Sequence, residues 1–160
     1  MRTLDIRPLT PEDRAWADRL LEEHWGSTLI VTRGKVYDAS RFPGFIAWLD
    51  EEKAGLITFR LDGNACEVMT LNSVIEDEGV GTALLDSVKK RARKEGCNRV
   101  WLITTNDNMR AIGFYQKRGF SLVAVHPGAI EYSRTLKPTI PLIGMHGIPL
   151  RDELELEVLL

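Results

Sequence analysis

The sequence has little of what would assign a chain to a specialised class. It has two cysteines, Cys66 and Cys97, and three histidines; none sits at zinc-ligand spacing, so neither a metal centre nor a disulfide framework is expected. No run approaches the roughly 18 uninterrupted apolar residues of a membrane-spanning helix. The opening "MRTLDIRPLTPEDR" lacks the apolar core of an export signal. A formal net charge of -2 gives no general attraction to nucleic acid or to anionic lipid. The expectation is a reduced, cytoplasmic setting with no nucleic-acid or membrane partner.

What is present fits one domain over 1–160. The chain has 160 residues, 44% hydrophobic and 28% charged, enough to bury a core without cross-links. "TLDIRPL" alternates as a strand does, and a helix follows from Thr10-Pro11 to about Glu23, with Trp16, Leu20 and Leu21 on its core side. "HWGSTLIVTRGKVYDASRFPG" has no sustained period and reads as a long, partly structured connection. "FIAWLD" and the two runs around Asp62-Gly63-Asn64 predict an antiparallel meander.

Helical spacing returns with Leu84, Leu85, Val88 and Ala92, and Gly96 stands where a C-terminal cap belongs. "RVWLITT" then reads as a buried strand, which with "CEVMTL" makes a βαβ crossover and one parallel pair. "NDNMRAIGFYQKRG" predicts a further helix ending at Gly119. "FSLVAVH" and "AIEYSRTL" predict a closing strand pair around Pro127-Gly128. In the tail, 137–160, Glu153, Glu155 and Glu157 alternate with Leu154, Leu156 and Val158, which suits an edge strand, with a short terminal helix as the alternative. The alternation also suits pairing across a homodimer.

The chemistry concentrates in "IEDEGVGTALL". Gly79-Val80-Gly81 opens the helix, where backbone N–H groups without intrahelical partners suit an anion. The stretch lacks the lysine and hydroxyl residue of a P-loop and the longer spacing of a dinucleotide fingerprint. Glu76, Asp77 and Glu78 stand before it, and acidic side chains there also complement the helix dipole. The basic run Lys89, Lys90, Arg91, Arg93 and Lys94 reads as a solvated helix face. His24, His126 and His146 read as surface or satisfied residues.

Together with "NDNMRAIGFYQKRGF", this loop resembles the GNAT N-acetyltransferase family over residues 66–120. That family carries a Q/R-x-x-G-x-G/A loop at the acetyl-CoA pyrophosphate and a later N-x-x-A-x-x-x-Y-x-K-x-GF segment beside the cofactor. Gly79 and Gly81 take the glycine positions; Asn108, Ala111, Phe114, Tyr115, Lys117, Gly119 and Phe120 take those of the second segment. The departure is Glu76, where the family usually places Arg or Gln. The resemblance implies an α/β fold with a mixed, mostly antiparallel sheet, a splayed parallel pair and flanking helices.

It also implies an acetyl-CoA-dependent N-acetyltransferase that uses no metal, acting on a primary amine of a small molecule or peptide through direct attack in a ternary complex. Leu71, Asn72, Ser73, Glu76, Gly79, Val80, Gly81, Thr82, Asn108, Arg110, Ala111, Tyr115 and Lys117 would line the cofactor, with the Leu71 main chain beside the thioester. Tyr115 matches the general acid. Glu67 is a candidate base, weighed against an edge-facing surface glutamate. Trp25, Ser27, Arg33 and Tyr37 fall in the acceptor segment. The competing readings are a non-catalytic acyl-CoA sensor and transfer to a non-amine nucleophile.

Overall fold

The computed structural model describes residues 2–76 and 78–160, so Asp77, one of the three acids before the glycine turn, lies outside the described residues. In chain order the regular elements are β1 (Leu4–Pro8), α1 (Arg14–Trp25), β2 (Leu29–Thr32), β3 (Lys35–Asp38), β4 (Gly44–Leu49), β5 (Glu52–Asp62), β6 (Ala65–Ser73), α2 (Val80–Lys94), β7 (Arg99–Thr105), α3 (Met109–Lys117), β8 (Ser121–His126), α4 (Ala129–Leu136) and β9 (Glu153–Leu159). The architecture is mixed α/β, with mostly antiparallel strand pairs and one parallel pair. Residues group into two compact units.

The first unit holds the residues up to Thr28, then Asp38–Val100 and Leu160. Its strand order is β1-β4-β5-β6 followed by the start of β7. The meander expected around Asp62-Gly63-Asn64 is β5 and β6, paired antiparallel. Because Thr58 faces Thr70 while Phe59 faces Val68, Met69 is an extra residue that bulges β6 just before Leu71. Helix α2 presents Leu84, Leu85, Val88 and Ala92 to the sheet, the stripe the sequence spacing predicts, and buries Val80 with them. Each such Leu or Val contributes roughly 1.5–3 kcal/mol relative to exposure. Gly55 permits the close approach: a Cβ there would lie 2.6 Å from Val80 Cγ1 and 2.9 Å from the Asn72 carbonyl oxygen.

The second unit holds Leu29–Tyr37 and Trp101–Leu159. The connection expected to be partly structured carries the β2–β3 hairpin here. The strand order is β7-β9-β8, and this corrects two expectations. "AIEYSRTL" is helix α4, not the partner of β8. Ile130 and Ser133, three apart, are its buried residues, and the Gly128 N–H at its start donates to Asp152 Oδ1. The tail supplies the partner instead: β9 pairs antiparallel with β8. It is therefore a strand and not a terminal helix, and with neighbours on both sides it is not an edge. The pairing across a homodimer that its alternation suggested has no free edge on β9 to use.

Arg134 explains how the proline-rich stretch reaches that slot. Its guanidinium donates to the carbonyls of Ile140, Pro141 and Leu150, satisfying acceptors that prolines cannot organise into a ladder. Among the described residues, no helix is long and apolar enough to cross a membrane.

Candidate functional site

In the first unit, β6 delivers Leu71, Asn72 and Ser73 to the loop that opens α2. Gly79 is the N-cap residue and adopts the left-handed region, φ 73°. Glycine is needed for that backbone angle and not for space, since a Cβ would meet nothing within 4 Å. The first turn thus offers N–H groups and the positive end of a 15-residue helix. Gly81 and Thr82 are half-buried in that turn and Glu76 is exposed before it. Val80 has a buried side chain, so only its backbone faces the loop. Trp25, an acceptor-segment candidate at the end of α1, donates its indole N–H to Asn72 Oδ1 at 3.4 Å, which brings those two candidates together. Ser27 is half-buried in the same unit.

Glu67 is not the edge-facing surface residue of the bland expectation. It is 2% exposed on β6, opposite Arg60 on β5, and its Oε1 accepts a hydrogen bond from Arg60 Nη2 at 3.1 Å. A carboxylate this deep requires such a partner.

In the second unit, α3 carries the later segment. Asn108 is its N-cap, Oδ1 accepting the Ala111 N–H at 3.1 Å, so the Asn-x-x-Ala spacing has a structural function worth about 1 kcal/mol. Tyr115 is buried, edge-on to Phe114 and Phe120 at 5.1 and 5.4 Å. That burial pushes the phenol well above its ordinary value and keeps it protonated. Arg110 and Lys117 are exposed on the same helix.

Sequence reasoning missed the residues that fix the approach to α3. Asn106 Oδ1 accepts the N–H groups of Arg151 and Asp152, and the Asp107 carboxylate accepts that of Met145 at 2.9 Å. The signal was the polar run Thr-Asn-Asp-Asn between a buried strand and a helix, a loop that needs backbone partners. It also missed Thr32 and Glu153, which hold the turn of the β2–β3 hairpin where Arg33 stands at φ 51°. A left-handed arginine costs roughly 1–2 kcal/mol. Its guanidinium lies 4.5 Å from the Trp101 ring centroid, and Tyr37 is half-buried on β3.

Known proteins resemble this chain in sequence and in fold. The sequence model of the Acetyltransferase (GNAT) family matches residues 5–120. The uncharacterized protein YdhI of Bacillus subtilis (strain 168) is 44% identical over 133 residues, covering 82% of this chain and 83% of YdhI. Among solved structures, an IAA acetyltransferase from Bacillus cereus ATCC 14579 superposes with a TM-score of 0.72 at 17% identity, covering 99% of this chain and 100% of that one. A GNAT family acetyltransferase from Elizabethkingia anophelis with acetyl-CoA bound gives 0.69 at 18% identity, covering 98% of each. With the family model spanning most of the chain and a relative this close in sequence, the protein belongs to the GNAT acetyltransferase family.

Proposed function

We infer that the protein is an acetyl-CoA-dependent N-acetyltransferase acting on a primary amine of a small molecule or peptide. The observation that carries this reading is the start of α2, where a left-handed Gly79 at φ 73° turns the chain from the bulged strand β6 into the N-terminus of a 15-residue helix. The backbone of Gly79, Val80, Gly81 and Thr82 at this helix start is assigned to the pyrophosphate of acetyl-CoA. Leu71, Asn72 and Ser73 are assigned to its pantetheine arm, and Asn108, Arg110, Ala111 and Lys117 to the segment beside it. The family match runs through residues of both units and supports reading 1–160 as one acetyltransferase domain. The two free, buried cysteines suit a reduced, cytoplasmic setting.

Acetyl-CoA supplies the acetyl group as a thioester and departs as the thiol. The Leu71 main-chain N–H donates to the acetyl carbonyl oxygen, where negative charge develops. Glu67 takes a proton from the acceptor ammonium, directly or through water, and the neutral amine so formed attacks the thioester carbonyl. Tyr115, held protonated by burial, gives its proton to the departing sulfur. Trp25, Ser27, Arg33 and Tyr37 belong to the acceptor segment.

Thiol release with acetyl-CoA and a panel of amines tests the reading. Transfer to an amine is the expected result. Binding of acetyl-CoA with no transfer across the panel would make the protein a sensor, and transfer only to hydroxyl compounds would replace the amine.

A further inference from the structure

The β2–β3 hairpin is held more firmly than a surface turn requires. Its central residues, Arg33 and Gly34, both have positive φ, 51° and 72°, the backbone of a type I′ turn whose first central position ordinarily takes Asn, Asp or Gly. Arginine there is strained, and such strain persists only where the surroundings over-determine it. Three elements of the second unit do so. The Glu153 carboxylate, buried at the start of β9, accepts the Arg33 N–H on Oε1 and the Thr32 hydroxyl on Oε2, both at 3.1 Å. Trp101 of β7 carries the Arg33 guanidinium on its ring face. Tyr132 of α4 closes against Gly34, where a Cβ would lie 2.7 Å from Cε1.

Asparagine or glycine at position 33 would relieve the strain and still offer the same N–H to Glu153. The turn itself therefore does not require the arginine side chain. We propose that Glu153 is a positioning residue for acceptor recognition: its carboxylate clamps the turn so that Arg33 is presented on the Trp101 face, and acceptor binding depends on this clamp while acetyl-CoA binding does not. The proposal rests on the acetyl-transfer reading, in which this hairpin belongs to the acceptor segment.

The test is steady-state kinetics with the best acceptor found for the wild type among free amino acids, polyamines, aromatic amines and short peptides. Losing two hydrogen bonds to a buried carboxylate, Glu153→Ala raises the acceptor KM by about tenfold or more, with the acetyl-CoA KM and kcat within about threefold of wild type. Glu153→Gln restores the acceptor KM to within about threefold, because its amide can accept from the Arg33 N–H and donate to the Thr32 hydroxyl. Thr32→Val is the milder variant if Glu153→Ala does not fold. It raises the acceptor KM severalfold while Thr32→Ser does not.

Equal rises in both KM values, or an unchanged acceptor KM in folded Glu153→Ala or Thr32→Val, overturn the proposal. Absence of thiol release by the wild type with every amine overturns the acetyl-transfer reading, and the acceptor role of Glu153 with it. Hydrogen exchange at the Arg33 and Gly34 amides then reads the clamp alone. Exchange faster by about tenfold in Glu153→Ala supports the clamp, and unchanged exchange refutes it.

Discussion

Glu67 and Arg60 face each other across β6 and β5, with Oε1 accepting from Nη2 at 3.1 Å and the carboxylate 2% exposed. The pair gives a buried acid a fixed orientation, which a general base needs. Glu67→Gln is expected to lower kcat/KM by roughly 100-fold and to flatten the acidic limb of the pH–rate profile. An acidic limb of unchanged shape would move the base elsewhere. Arg60→Met removes a hydrogen bond from a part-exposed cation to this carboxylate and should lower stability by about 2 kcal/mol in urea unfolding.

Tyr115→Phe keeps the packing against Phe114 and Phe120 and removes only the hydroxyl. We expect kcat to fall by about 10–100-fold with acetyl-CoA affinity within about twofold by calorimetry. Full turnover in this variant would remove the acid assignment.

Glu76 stands exposed before the glycine turn. At about 6 Å a carboxylate costs on the order of 0.7 kcal/mol against a phosphate charge in water, and an arginine returns a similar amount as attraction. Glu76→Arg should therefore tighten acetyl-CoA by about tenfold in calorimetry without changing the melting temperature much. Equal or weaker binding would count against placing this side chain near the pyrophosphate.

Gly55→Ala tests the seat of α2. The added Cβ meets Val80 Cγ1 and the Asn72 carbonyl, and overpacking of this kind costs roughly 1–3 kcal/mol. The contact pushes the start of α2 away from β6, so acetyl-CoA affinity should fall together with stability. A variant that loses stability and keeps full affinity would separate the helix seat from the cofactor loop.

Cys66 gives the fold an alkaline limit. Burial first, then the neighbouring Cys97, push its thiol up from 9.0 to about 12, with Arg91 opposing and Glu67 adding the least. The unfolded chain ionises first, so this contribution to stability is complete below pH 9 and is lost as the pH rises toward 12. Near pH 11 the loss amounts to roughly 2–3 kcal/mol. Cys66→Ala should be less stable at neutral pH by about 1 kcal/mol and show a correspondingly shallower decline between neutral and alkaline urea titrations. Parallel declines in both proteins would place the alkaline sensitivity at other groups.

Where local rules act alone, the sequence was sufficient. The α2 stripe, the Asp62-Gly63-Asn64 hairpin, the glycine turn at Gly79 and the order of the two family segments follow from residue spacing and backbone preference, and the structure has them where they are expected. These features depend on neighbours within a few residues, so periodicity and turn chemistry suffice to read them.

Tertiary structure decided what distant residues settle between them. "AIEYSRTL" supports either period over its eight residues, and only the arrival of β9 beside β8, with Arg134 gathering the carbonyls of the preceding stretch, leaves it a helix. The grip of Glu153 on Thr32 and Arg33 joins positions far apart in the chain, and Glu67, though it pairs with Arg60 only seven residues away, is buried by what the fold packs over the β5–β6 hairpin. A glutamate in a strand looks the same in sequence whether it faces water or a buried donor. Desolvation makes the difference, because a carboxylate out of water is tolerated only where the fold brings it hydrogen-bonding partners.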